Sequence, residues 1–337
     1  MVTVKEPFPE LENPEAWTEI DGDLAGIDPK RAEMIKKSRE GTARFDAVRA
    51  AHWQDPDGVD AFVDIPYMDD DVRGHKLDVY VPHDSRLRAD HTLPVYVDVH
   101  GGGFVYGYKE LNRNYCTHLA AHGVVVVSLS YRPAPQTDFH GQLQDVAQGL
   151  AWVKKNIMMY AGDPTGVFLT GDSAGGCLAF YASLVERNTD FASKINIAPA
   201  GVRVKGAAVV SALLDMPAYV DPTAKKDPTV QNLLSMLGDD FFSCLEPVGV
   251  ENLALGKLVA DMDVPPLYLL TSSDDFVEAE TLKLATAMSQ AHKKFELHDV
   301  APEPGRALGH VFSIGMSWLE ESQAVFEQMR KFAYRNL

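Results

Sequence analysis

Three cysteines in 337 residues, Cys116, Cys177 and Cys244, are too few for a disulfide or zinc framework. Their number is odd and no CxxC spacing occurs, so a reducing compartment is expected. No run approaches 18 consecutive apolar residues, so no membrane-spanning helix is expected. The opening stretch, MVTVKEPFPELENPEAW, mixes Pro and Glu and lacks the apolar core of a secretory signal. A cytoplasmic location is the expectation. Basic charge is also scarce: 31 Lys+Arg stand against 48 Asp+Glu, a net charge of −17. That balance argues against nucleic acid, whose phosphates need clustered cations, and against docking on an anionic membrane. The partner classes left are a small neutral molecule and a second copy of the chain, as in a homodimer. Repeats and low-complexity tracts are absent as well.

What is present is an ordinary globular composition, 46% apolar and 23% charged, with side chains enough for a large core. The length admits two domains or one α/β domain with insertions. Asp28-Pro29 reads as an N-cap followed by Pro at the first helical position, opening a helix to about Glu40. A second helix is expected over Thr42–Trp53, beyond Gly41. Leu77, Val79 and Val81 alternate with Asp78 and Tyr80, the pattern of a half-buried antiparallel strand. Apolar runs at Pro94–Val99, Val124–Ser128, Val167–Thr170, Val204–Val210 and Leu267–Thr271 read as strands covered on both faces. Helical spacing of Leu143, Val146, Leu150 and Val153, and again from Trp318 to Phe332, places helices among them. Such alternation means βαβ units and a mostly parallel sheet. Asp215–Ala260 fits no strand and reads as short helices inserted before Leu267.

The strongest chemical signal is Gly171-Asp172-Ser173-Ala174-Gly175, a G-x-S-x-G between the strand VFLT and the helix GGCLAFYASLVE. A serine on so sharp a turn projects its Oγ out of the sheet, and the helix beyond it offers free N–H groups to developing negative charge. His100-Gly101-Gly102-Gly103-Phe104 follows the strand PVYVDV, 73 residues before Ser173. Alone it would be a flexible turn or an anion nest. Paired with the serine motif it matches the oxyanion-hole loop of lipases and esterases.

Together these residues resemble the hormone-sensitive-lipase-like carboxylesterases of the α/β-hydrolase superfamily, in the branch with a GDSAGG elbow. The resemblance runs from about residue 75 to 325. It includes Tyr131-Arg132-Pro133-Ala134-Pro135, similar to YRLAP, and Asp145 and Trp152, spaced as in D-x-x-x-A-L-x-W. VADMDVPPLYLL is similar to SPLLADLxxLPPxLI. The resemblance implies an α/β-hydrolase fold, with a mostly parallel central sheet, helices on both faces and a helical cap. Residues 1–60 read as an N-terminal helical segment, part of the cap or a decoration outside it, and 61–337 as the catalytic domain with a cap insertion at about 215–260.

Triad members follow the order Ser, acid, His in this fold. Aligned on E-x-D-P-L, Asp275 takes the acid's place, 102 residues after Ser173, with Asp274 an adjacent rival. Both also read as N-capping carboxylates of the helix EAETLKLATAM. Gly309-His310-Val311-Phe312 matches IHGF at the histidine. His298 falls within the strand FELHDV, His118, His122 and His140 precede the serine, and His100 reads as a structural member of its loop. The resemblance thus makes Ser173 the nucleophile, His310 the base and Asp275 its orienting acid. Gly102, Gly103 and the N–H of Ala174 would form the oxyanion hole, with no metal or organic cofactor. Phe104, Tyr106 and Tyr108 are candidates to line the substrate pocket, or equally to be packing. Three departures leave the catalytic groups in place: Pro133 and Gln136 for Leu and Glu, Gly166 for Arg, and Val311 for Gly.

A carboxylesterase acting on short-chain alkyl or aryl esters is the leading expectation. An amidase or arylformamidase would use the same triad, and a non-catalytic binding protein on this fold is the third reading. A complete Ser173, Asp275 and His310 weighs against the last.

Overall fold

Alternating apolar residues split the strands between two hydrophobic layers. One layer takes Leu77, Val79, Val95, Val97 and Val99, the other Tyr80, Tyr96, Val126, Phe168 and Tyr268. The structure, a computed structural model, describes residues 20–87 and 92–337. The opening stretch read above for a signal lies outside the described residues. Strand β1 (Val59–Pro66) pairs antiparallel with β2 (Lys76–Pro82), and β2 antiparallel with β4 (Val125–Leu129). β3 (Leu93–Val99), β5 (Gly162–Asp172), β6 (Gly206–Val210), β7 (Leu267–Ser272) and β8 (Phe295–Val300) extend the sheet in parallel. The order is β1-β2-β4-β3-β5-β6-β7-β8, an α/β-hydrolase sheet.

Helices α1 (Pro29–Ala50), α2 (Arg113–Ala121), α3 (Phe139–Asn156), α4 (Ser173–Arg187), α5 (Pro228–Leu237), α6 (Glu278–Gln290) and α7 (Glu320–Arg335) surround it. α3 and α4 bring Leu143, Val146, Leu178 and Leu184 to the first layer, whereas α2 and α7 bring Tyr115, Leu119, Phe326 and Phe332 to the second. Residues 216–261 hold only short helical pieces between β6 and β7. No helix among the described residues is long and apolar enough to cross a membrane.

Three local expectations are corrected. β2 is antiparallel but buried on both faces: Tyr80 is fully enclosed and donates its hydroxyl to Asp78, which Lys109 also pairs at 3.0 Å. Polar residues alternated there because they satisfy one another inside, not because they face water. The two expected N-terminal helices are one, running through Gly41. Asp28 caps it as anticipated, accepting from the N–H groups of Lys30 and Arg31. An interior glycine costs about 1 kcal/mol, too little to break a helix anchored by tertiary bonds. Finally, α7 begins at Glu320, leaving Trp318 outside it and partly exposed.

Candidate active site

The carboxyl ends of β3, β5, β7 and β8 lead into the glycine loop, Ser173, Asp275 and the loop of His310. β5 runs directly into α4 through Ser173, whose backbone sits at φ 51°. A side chain rarely adopts that conformation, and the neighbours that make it possible are glycines. A Cβ on Gly175 would lie 2.0 Å from the Val99 carbonyl oxygen and 2.3 Å from that of His100. The motif's last glycine is therefore where the elbow presses against the end of β3.

The loop after β3 is held from several sides. His100 is fully buried, stacked on Tyr131 at 4.3 Å, with Nδ1 2.8 Å from the Gly101 carbonyl oxygen. Burial pushes its imidazole down to about 4, so it stays neutral at physiological pH and closed to substrate. The Gly101 N–H donates to Asp172, which also accepts from Asn112 at 2.8 Å. Gly102 sits at φ 110°, and a Cβ there would meet the Tyr106 carbonyl oxygen at 2.0 Å. The Val105 and Tyr106 N–H groups close onto the Gly102 carbonyl, which turns the loop back over the elbow. Ala174 lies in the first turn of α4, where N–H groups have no intrahelical partner. Gly102, Gly103 and Ser173 line the same cavity, which has a volume of about 560 Å³.

His310 shares that cavity. Its Nδ1 lies 2.9 Å and 3.1 Å from the two oxygens of Asp275, which is 6% exposed. A carboxylate only accepts, so Nδ1 carries the proton and Nε2 is left as acceptor. Burial works against the Asp275 charge, but the His310 bond and charge outweigh it and hold the carboxyl below its usual range. Asp274 points elsewhere. Its oxygens accept from the N–H groups of Leu308 and Gly309 at 3.0 and 2.9 Å, tying the histidine loop to the end of β7. It does not cap α6, as its capping reading had it. Val311 follows at φ 51°, a left-handed backbone on a β-branched residue. The departure from glycine at this position thus leaves local strain beside His310.

Of the aromatic candidates, Tyr106 lines the cavity and Phe104 and Tyr108 do not. Phe104 is fully buried, its ring 5.4 to 5.9 Å from those of Phe139, Phe241 and Phe242. Tyr108 lies beneath the Arg73 guanidinium. Of the two readings left open for Phe104, substrate pocket or packing, the ring takes the second: it is enclosed in the core and does not line the cavity. His298 stacks on Tyr268, and His118 and His140 bond backbone carbonyls away from the cavity. Among the described residues, no group of three or more His, Cys, Asp or Glu is placed to hold a metal ion.

Helix α1 supplies what sequence reasoning missed. Arg31 donates to the carbonyls of Met236 and Leu237 in α5, and Arg39 to those of Val105 and Ala134. Arg49 donates to the His310 carbonyl and Trp53, just beyond the helix, to that of Gly315. One polar helix thus binds the glycine loop after β3, the histidine loop and the inserted segment. Nothing in its weakly periodic sequence marked those side chains as inward-facing.

Asp46, also on α1, faces the cavity and hydrogen-bonds Tyr106. Burial pushes its carboxyl up to about 6, with Tyr106 and Arg49 pulling it back and Asp172 adding to the rise. Between the ordinary 3.8 and that value the native protein binds more protons than the unfolded chain. Stability from this group is complete below the lower limit and falls as pH rises through the upper one. Asp46→Asn is expected to leave urea-denaturation stability nearly unchanged at the acid end and to raise it above wild type at neutral pH. An equal change at both would contradict this.

A family model described as alpha/beta hydrolase fold matches residues 96–307. The isoprenylcysteine alpha-carbonyl methylesterase ICME of Arabidopsis thaliana is 29% identical over 204 residues, covering 60% of this chain and 46% of that protein. The probable carboxylic ester hydrolase LipM of Mycobacterium tuberculosis is 35% identical over 120 residues, covering 35% of this chain and 27% of that one. The chain therefore spans less than half the length of these curated relatives. Among solved structures, a C6-C4 SN3 inhibited esterase B from Lactobacillus rhamnosis aligns with a TM-score of 0.80 and 26% identity, covering 91% of this chain and 96% of that one. With the family match extending over more than half of its residues, the chain belongs to the α/β-hydrolase-fold family.

Proposed function

We propose that the protein is a serine carboxylesterase that hydrolyses short-chain acyl esters of alkyl or aryl alcohols through an acyl-enzyme. One observation carries this reading. A serine strained at a strand–helix elbow opens into the same cavity as an imidazole whose Nδ1 is taken by a buried carboxylate.

Ser173 Oγ attacks the ester carbonyl carbon while His310 Nε2 takes its proton, and Asp275 stabilises the imidazolium. The N–H groups of Gly102, Gly103 and Ala174 receive the oxyanion; losing one such donor costs about 2.7–4 kcal/mol of transition-state stabilisation. The tetrahedral adduct collapses as His310 returns the proton to the alcohol oxygen, leaving the acyl group on Ser173. Water, deprotonated by His310, then releases the acid. Asp46, Arg49, Asp227 and Asn232 interrupt the apolar lining. That supports short acyl chains, since methylenes laid against charged groups would strip their water. Three free thiols support a reducing, cytoplasmic setting.

The test is a p-nitrophenyl ester ladder from acetate to palmitate, run beside Ser173→Ala. Activity should peak at short chains and fall by at least about 10⁴-fold in the variant. Activity confined to the longest chains would overturn the substrate class. Folded wild type inactive on every ester would overturn the function.

A further inference from the structure

Phe276 directly follows Asp275 and is 66% exposed, yet its ring centroid lies 4.4 Å from that of His310. Large aromatic side chains left in water forgo most of their burial free energy, so a ring kept open beside a reactive imidazole calls for an explanation. Holding His310 in place does not supply one. The Nδ1–Asp275 bond orients its ring, and Arg49, Asp274 and Ser272 pin the backbone on either side of it.

The chemistry of the proposed reaction does supply one. His310 Nε2 must hand its proton to the leaving oxygen, which therefore sits within about 3 Å of it in the transition state. The substituent on that oxygen begins one bond further out. It lies in reach of whatever packs against the imidazole, and Phe276 lines the cavity there with Val311. A second open ring, Phe45 at 56% exposure, lines the same cavity from α1.

We propose that Phe276 determines specificity for the alcohol part of the substrate, and that the enzyme takes esters of aromatic alcohols ahead of small alkanols. This rests on the serine esterase reading above. A flat alcohol moiety packs on the open ring in an offset or edge-to-face arrangement, whereas an ethyl group covers little of it.

The test compares benzyl acetate with ethyl acetate, which share an acyl group and have leaving alcohols of similar acidity. Wild type, Phe276→Ala and Phe276→Leu are assayed. The benzyl-to-ethyl ratio of kcat/KM is expected to drop about tenfold in the Ala variant, mostly through KM, and less in the Leu variant. The ratio of benzyl butyrate to benzyl acetate should stay as in wild type, since the acyl side is untouched. An equal loss on all esters would make Phe276 a positioning residue and overturn the inference, as would a wild type that prefers ethyl acetate. Wild type inactive on every ester would overturn the esterase reading and the inference with it, and is distinguished by needing no variant.

Discussion

Asp275→Asn is expected to lower kcat by about 10⁴-fold, and Asp274→Asn by less than about tenfold. These adjacent carboxylates are indistinguishable by residue type, and the contrast comes from where each points. Asp275 is buried and its oxygens face the imidazole Nδ1 at 2.9 and 3.1 Å. An amide there presents an N–H₂ or a weaker acceptor, frees the imidazole to adopt the wrong tautomer and removes the charge that balances the imidazolium. Asp274 is exposed and bonds two backbone N–H groups of the histidine loop. Its amide replacement keeps one acceptor oxygen and loosens the loop without reaching the ring. Steady-state kinetics on p-nitrophenyl butyrate check both. A larger loss in the Asp274 variant would move the acid one residue back.

Arg39→Met is expected to destabilise the protein by about 3–5 kcal/mol in urea denaturation and to reduce kcat/KM at temperatures where the variant is still folded. Arg39 is fully enclosed in the middle of α1. Its guanidinium pairs both oxygens of Asp23 at 3.0 and 2.5 Å, with side chains 0% and 1% exposed, and donates to the carbonyls of Val105 and Ala134. Removing it leaves the Asp23 carboxylate with the Ile20 N–H at 3.3 Å in place of a guanidinium, and takes the Arg39 donors from two carbonyls, each loss costing desolvation. Val105 belongs to the turn that closes on Gly102, so the loss also loosens the proposed oxyanion hole. The double variant Asp23→Asn with Arg39→Met should recover part of the stability, because the stranded charge is gone. No recovery would mean that the ion pair is not what Arg39 contributes.

The elements legible in the sequence were those whose local pattern and burial agree. β3, β4, β5 and β7 are runs of branched apolar residues because both their faces are covered, and that composition is independent of which neighbours cover them. Ser173 and the glycine run at 101–103 were legible because sharp backbone turns accept few residue types, and His310 through the likeness of its segment to IHGF. α1 was not. Its residues read as polar on most faces, yet Arg39 is among the largest fully buried side chains. An arginine turns inward only where carboxylate and carbonyl partners from distant segments await it, and those partners lie up to 95 residues away. Asp78 misled because it is paired inside the protein, by the Tyr80 hydroxyl and the Lys109 ammonium, and the burial of Phe104 rests on Phe139, Phe241 and Phe242, far along the chain.

The sequence by itself determined the alternation of strands and helices and the strand–turn–helix elbow at Ser173, because each depends on residues close in the chain; the order of the proposed serine, acid and histidine came from the family resemblance. Tertiary structure alone decided which aromatic rings face the cavity and that α1 braces the loops around it. Those outcomes depend on partners brought from far along the chain.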